Sequence, residues 1–205
     1  MALIPGNIFF IAYFLMLLLF TSCAVSNNPL RRQIKLLQKG ILKDDTSFVY
    51  SLPYEAGTAH RIVQGYFGPL SHKERAALDF KMKRGTKIVA ARDGIVVRAK
   101  EDGDRGGWNK KYRPYGNNII IQHTDGSRAG YWHLQDNGAL VNLGDTVKQG
   151  QVIALSGKTG YAAMPHLHFL VWTFDKEGKW KQIATRFKTT KGIVYLRGWK
   201  KYRKP

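Results

Sequence analysis

The sequence predicts a mainly β protein with one short helix ahead of its sheet. Twenty-one glycines among 205 residues supply turns. The apolar runs between them are short and rich in β-branched residues, as strands require. Between residues 60 and 175 no stretch keeps a helical apolar period for the roughly ten positions a helix needs.

The elements follow in order. The helix is expected over residues 29–42, where Leu30, Ile34, Leu37 and Ile41 recur at helical spacing behind Asn28 as N-cap. Strands are expected at residues 87–91, 94–99, 118–123, 130–133, 152–155 and 166–173. Arg92-Asp93-Gly94, Thr124-Asp125-Gly126 and Ser156-Gly157 punctuate them as turns. A further strand is expected near residues 183–189.

The amino terminus is a leader. Residues 1–22 carry no charge, and residues 8–20 are an unbroken apolar run of thirteen. At about 1.5 Å per residue the run spans roughly 20 Å, short of the ~30 Å of a bilayer core. A secretory signal over residues 1–23 is therefore expected rather than a membrane span. The only cysteine, Cys23, closes the run after Thr21-Ser22 and resembles the lipidated cysteine of a bacterial lipoprotein. Cleavage after Ala24 is the alternative. One cysteine excludes an intramolecular disulfide framework and a cysteine-cluster zinc site.

Charge divides the rest. The net charge is +19, and residues 176–205 hold eleven basic residues against Glu177 alone, or +10 of it. Residues 60–175 hold +7 and residues 26–59 hold +2. This suggests an N-terminal extension with one helix (24–59), a central domain (60–175) and a basic C-terminal extension (176–205). Basic and aromatic residues interleaved, as in that last segment, also suit single-stranded nucleic acid. Export makes nucleic acid an unexpected partner and an anionic envelope surface the expected one, attracted over a screening length of about 8–10 Å.

The chemistry lies in the histidines. In Pro165-His166-Leu167-His168-Phe169 the two histidines stand at i and i+2 of a strand, so both project from one face. Both rings can ligate one ion, or one can ligate while the other serves a reacting water. No HExxH is present, so the glutamate base of helical zincins is missing.

Gly157-Lys158-Thr159-Gly160 followed by Pro165–Phe169 resembles the GxTG and PHLHF signature of the M23 zinc metallopeptidases, the lysostaphin-like or LytM-type peptidoglycan endopeptidases. Residues 71–80, Arg92-Asp93-Gly94-Ile95-Val96, Tyr131-Trp132-His133-Leu134 and the GDxVxxGQxI stretch at 144–153 fall in the order of that family. The resemblance covers residues 60–175. It implies an antiparallel β-sheet metallopeptidase domain with the helix outside the sheet. It also implies one zinc ion held by His72, Asp79 and His168, and a catalytic pair, His133 and His166, either of which suits the general base. Hydrolysis of peptidoglycan cross-links in the cell envelope or periplasm follows, by a membrane-anchored lipoprotein if Cys23 is lipidated. The alternative is a non-catalytic LytM-type regulator, which typically lacks zinc ligands that this chain retains.

Six residues lie between His72 and Asp79 where the family commonly leaves three, and Glu74 is the rival acid. Tyr66 is a candidate oxyanion donor, with a core tyrosine as the alternative. His60 and His123 read as structural, and Asn117 as a turn or cleft residue.

Overall fold

A computed structural model describes residues 28–43 and 48–205. The expected leader and Cys23 lie outside the described residues. Among those described, no helix is long and apolar enough to cross a membrane.

Helix α1 is Pro29–Gln38. Asn28 caps it, its side-chain oxygen accepting from Leu30 N at 2.9 Å, and Pro29 occupies the first turn. It stops four residues short of the expected end. Gly40, at φ 71°, closes a Schellman motif in which Ile41 N donates to Leu36 O and Gly40 N to Leu37 O, both at 3.0 Å. Of the four periodic residues, Ile34 is buried and Leu37 partly so, while Leu30 and Ile41 are exposed.

Nine strands make the main sheet. They are β1 (Ala59–Gln64), β2 (Ala77–Lys81), β3 (Gly94–Lys100), β4 (Asn118–Gln122), β5 (Arg128–Trp132), β6 (Thr146–Val147), β7 (His166–Phe174), β8 (Trp180–Ile183) and β9 (Lys201–Arg203). Their order is β6-β3-β4-β5-β7-β2-β1-β9, with β8 paired to β7, and every pairing is antiparallel. Lys87–Val89, Val152–Ser156 and Leu134–Ala139 form a second small sheet.

Alternation divides the main sheet into two faces. Odd positions of β7, Leu167, Phe169 and Val171, face the core, where Phe169 meets Phe80, Tyr131, Tyr50 and Phe187 edge-on. Each such side chain is worth about 1.5–3 kcal/mol over leaving it exposed. Even positions, His166, His168, Leu170 and Trp172, face the other way, and that face carries the site.

The basic C-terminal segment is woven into the fold. The strand expected at 183–189 is in fact two, β8 and Arg186–Thr189, separated by Ala184 and Thr185. Arg186–Thr189 lies between Gly192–Tyr195 and Val49–Ser51, the latter in parallel. At the end of the chain β9 pairs with β1, Lys201 opposite Arg61 and Tyr202 opposite His60. Gln38 and Arg197 fasten α1 to the same region.

Candidate active site

Asp79 and His168 are register partners across the β2/β7 ladder, so backbone pairing alone brings them together. His166 is opposite Lys81 on the same face. His72 arrives from the loop between β1 and β2. Its Nε2 lies 3.2 Å from His168 Nδ1 and 3.3 Å from Asp79 Oδ1, and His168 Nδ1 is 2.8 Å from the same oxygen. These three residues form a group able to hold a metal ion. Ligands at 2.0–2.1 Å around a tetrahedral ion stand about 3.3–3.4 Å apart, close to the edges of this triangle. The donor chemistry fits a cation as well. With Nδ1–H of His72 given to Gly65 O at 3.3 Å, its Nε2 presents a lone pair to a second nitrogen and a carboxylate. Glu74 is exposed, and Asp79 is the acid that joins the two histidines.

The long loop that carries His72 is held by a residue that sequence reading overlooked. A register shift between Ile62 and Gln64 turns the Gln64 side chain onto the site face. Its Nε2 donates to Asp79 Oδ2 at 3.0 Å and to Ser71 Oγ at 2.8 Å. Its Oε1 accepts from Leu70 N at 3.1 Å and Ser71 N at 2.9 Å. One amide thus orients the carboxylate and fixes the loop that delivers His72. An isolated glutamine carries no motif that would reveal this.

His133 departs from the expected strand. β5 ends at Trp132, and His133 has φ 64°, a left-handed conformation uncommon for a residue with a side chain. Strict alternation would send its ring to the core, opposite Trp132. The left-handed turn instead brings it to 4.6 Å from the His166 ring and 5.8 Å from the His168 ring. Its Nδ1–H donates to Thr159 O at 2.8 Å, and that of His166 to Met164 O at 2.8 Å, so each ring keeps Nε2 for chemistry. Thr159 is fixed in turn, its hydroxyl donating to Leu134 O at 2.6 Å and accepting from Asn117 N at 3.0 Å. Behind it, the buried Asn117 side chain bonds Gly103 N, Gly103 O, Glu101 O and Gln135 O. Asn117 is a staple of the loops behind His133 rather than a turn residue.

The electrostatics favour an ionised carboxylate beside the neutral imidazoles of His133 and His168. Burial opposes the charge of Asp79, but the His168 and His72 rings beside it outweigh that and hold the carboxyl well below its ordinary range. Burial, reinforced by the neighbouring His166 and His168, pushes His133 down to about 3. Burial also lowers His168, against the pull of Asp79.

The other expected residues lie elsewhere. The Tyr66 hydroxyl is spent on Thr185, donating to its carbonyl at 3.0 Å and accepting from its N–H at 3.2 Å, so it is a core tyrosine. His60 packs on Tyr54 and bonds Lys81 O, and His123 bonds Asp93 O beside Tyr50. Both are structural.

Two imidazoles and a carboxylate converge on one point, with two further imidazoles beside them, a donor set able to hold a metal ion. Residues 73–181 match peptidase family M23, more than half of the chain, and the chain belongs to that family. The matched span holds Asp79, His133, His166 and His168, and His72 stands one residue before it. The glycyl-glycine endopeptidase ALE-1 of Staphylococcus capitis is 36% identical over 122 residues, which are 57% of this chain and 31% of that protein. The peptidoglycan DD-endopeptidase ShyA of Vibrio cholerae is 38% identical over 92 residues, 44% of this chain and 18% of that protein. The catalytic domain of lysostaphin from Staphylococcus simulans is 32% identical, with a TM-score of 0.43 over 61% of this chain and 87% of that domain. The chain thus spans less than a third of the length of either curated relative.

Proposed function

We propose that this protein is a zinc-dependent endopeptidase that hydrolyses the peptide cross-links of bacterial peptidoglycan. The observation that carries the reading is the convergence of His72 Nε2, Asp79 Oδ1 and His168 Nδ1 beside two further imidazoles. The family and the named activities of the two relatives supply the substrate class. A complete ligand set favours an enzyme over a non-catalytic regulator.

His72, Asp79 and His168 would hold the ion. Bound there, zinc lowers the pKa of water to about 7 and polarises the scissile carbonyl. The chain's own residues do the rest. Asp79 contributes the negative charge that two neutral imidazoles lack. His133 and His166 keep their Nδ1–H groups on backbone carbonyls, which leaves Nε2 to the site; burial holds His133 neutral and suits it to orienting the attacking water, while His166 would take the proton and return it to the leaving amine.

Residues 1–23 act as an export signal in this reading, with Cys23 as the lipid attachment point. The cationic C-terminal strands face an anionic envelope. The experiment is digestion of purified peptidoglycan by the full chain, its Asp79→Asn variant and its His133→Ala variant, with products identified by mass. Wild type is expected to release un-cross-linked muropeptides, Asp79→Asn none, and His133→Ala about 10²- to 10⁴-fold fewer per unit time. Equal release by all three would reject the site.

A further inference from the structure

The site face continues past the histidines as a run of aromatic rings. Trp132 is the register partner of His168, with ring centroids 6.0 Å apart. Trp132 lies 5.8 Å from Trp172, Trp172 lies 6.0 Å from Trp180, and Trp180 stacks on Phe174 at 3.9 Å. Phe174 and Trp180 are 50% and 45% exposed, so core burial does not account for them. Gly130, between Trp132 and Arg128 on β5, makes room for the run. A Cβ there would stand 2.0 Å from the Trp132 indole and 2.9 Å from Trp172, so both rings lie over the glycine. An exposed apolar patch joined to a reaction site marks a binding surface, and Trp and Arg are residues that carry binding energy.

The occupant follows from what this face offers and withholds. β7 is paired on one side to β2 over His166–Leu170 and to β8 over Val171–Phe174, and on the other to β5 over His168–Trp172. Among the described residues, the stretch His168–Trp172 is therefore paired on both sides and offers no main-chain edge to an extended peptide. What is open is ring surface edged by planar polar groups. Arg128 lies 4.7 Å above the Trp180 ring and donates Nε to Gln122 Oε1 at 2.9 Å. Gln182, opposite Trp172, uses its Oε1 on Ala76 N and keeps its amide donors. Ring faces rimmed by amide and guanidinium donors complement a pyranose, whose C–H face is apolar and whose rim is hydroxyl and acetamido.

We propose that Trp132, Trp172, Trp180 and Phe174, with Arg128, bind the glycan strand of peptidoglycan and so present the attached stem peptide to the histidine cluster. This rests on the substrate class proposed above. It adds that the enzyme grips the sugar polymer beside the bond it cuts.

Calorimetric titration of the full chain tests it with two probes, an N-acetylglucosamine tetrasaccharide and a sugar-free cross-linked stem-peptide dimer. The tetrasaccharide should bind saturably, about tenfold more weakly to Trp180→Ala, and within about threefold of wild type to Trp180→Phe, which keeps a ring. Circular dichroism of both variants checks the fold, and Trp180→Phe preserves the hairpin stack if Trp180→Ala does not fold. Absence of saturable sugar binding to the wild type overturns the proposal. So do equal sugar affinities in wild type and Trp180→Ala, or Trp180-dependent binding of the peptide instead. Sugar binding is read without cleavage, so a chain that grips the sugar through Trp180 yet cuts nothing would sink the peptidase reading alone.

Discussion

Replacing Gln64 by leucine removes four hydrogen bonds from a residue of nearly the same size. The partners do not suffer equally. Leu70 and Ser71 are exposed, so their N–H groups turn to water. Asp79 is 7% exposed, and its Oδ2 loses the amide donor 3.0 Å away with little water to replace it. A hydrogen bond to a charged group is worth about 1.5–3 kcal/mol, so Gln64→Leu should cost the fold about 2 kcal/mol. The larger effect is on the metal. Residues that orient ligands typically contribute about 10- to 100-fold in affinity, and Gln64 orients two of the three, Asp79 directly and His72 through its loop. Competition against a chromophoric chelator measures the zinc affinity of wild type and variant, and urea unfolding of the metal-free chains measures the stability term. The expected outcome is a zinc Kd raised at least about tenfold, with the variant still folded. A folded Gln64→Leu chain with wild-type zinc affinity would refute the role given to this amide.

Three other outcomes are expected. Asn117→Ala removes a fully buried staple with four bonds to backbone, and the thermal midpoint should fall by the equivalent of about 3 kcal/mol, read by calorimetry. Burial lowers the pKa of His123, whose Nδ1–H is given to Asp93 O and whose Nε2 has no hydrogen-bond partner among the described residues. Its stabilising contribution is complete above the unfolded value near 6.5 and is lost as pH falls below it. Urea unfolding at pH 7.5 and 5.5 should therefore show a decline smaller in His123→Phe than in wild type, by at most about 1.4 kcal/mol. Removing residues 197–205 strips β9 from β1, including the bonds Trp199 N to Ile62 O and Ile62 N to Lys200 O, and the Tyr54 hydroxyl's bond to Tyr202 O. Charge alone suggests that turnover of a soluble peptide survives this truncation. The strand pairing predicts lost stability and lost turnover instead, measured by melting and by peptide hydrolysis.

Much of the fold was legible because its signals are local. Asp93-Gly94, Asp125-Gly126 and Ser156-Gly157 bound the strands, and the HxH spacing by itself sets His166 and His168 on one face. What escaped depends on single left-handed backbone positions and on contacts between distant segments. The helix runs to Gln38 because Gly40 takes a left-handed turn that the periodicity through Ile41 conceals. His133 reaches the cluster through a left-handed backbone that alternation would deny it. Gln64 and Asn117 act through the ends of other loops, and neither stands in a motif. The basic end of the chain looked separable because its composition changes. Pairing of β9 with β1 depends on backbone groups, which composition does not report.

The central claim is that His72, Asp79 and His168 hold one zinc ion that makes the cluster a peptidoglycan peptidase. The most direct test strips the full chain with a chelator and restores zinc in measured amounts while cross-link cleavage is followed by mass. Cleavage should vanish on stripping and return in proportion to zinc, levelling at one ion per chain, with no return in Asp79→Asn. Cleavage that persists without metal, or returns equally in Asp79→Asn, would contradict the account.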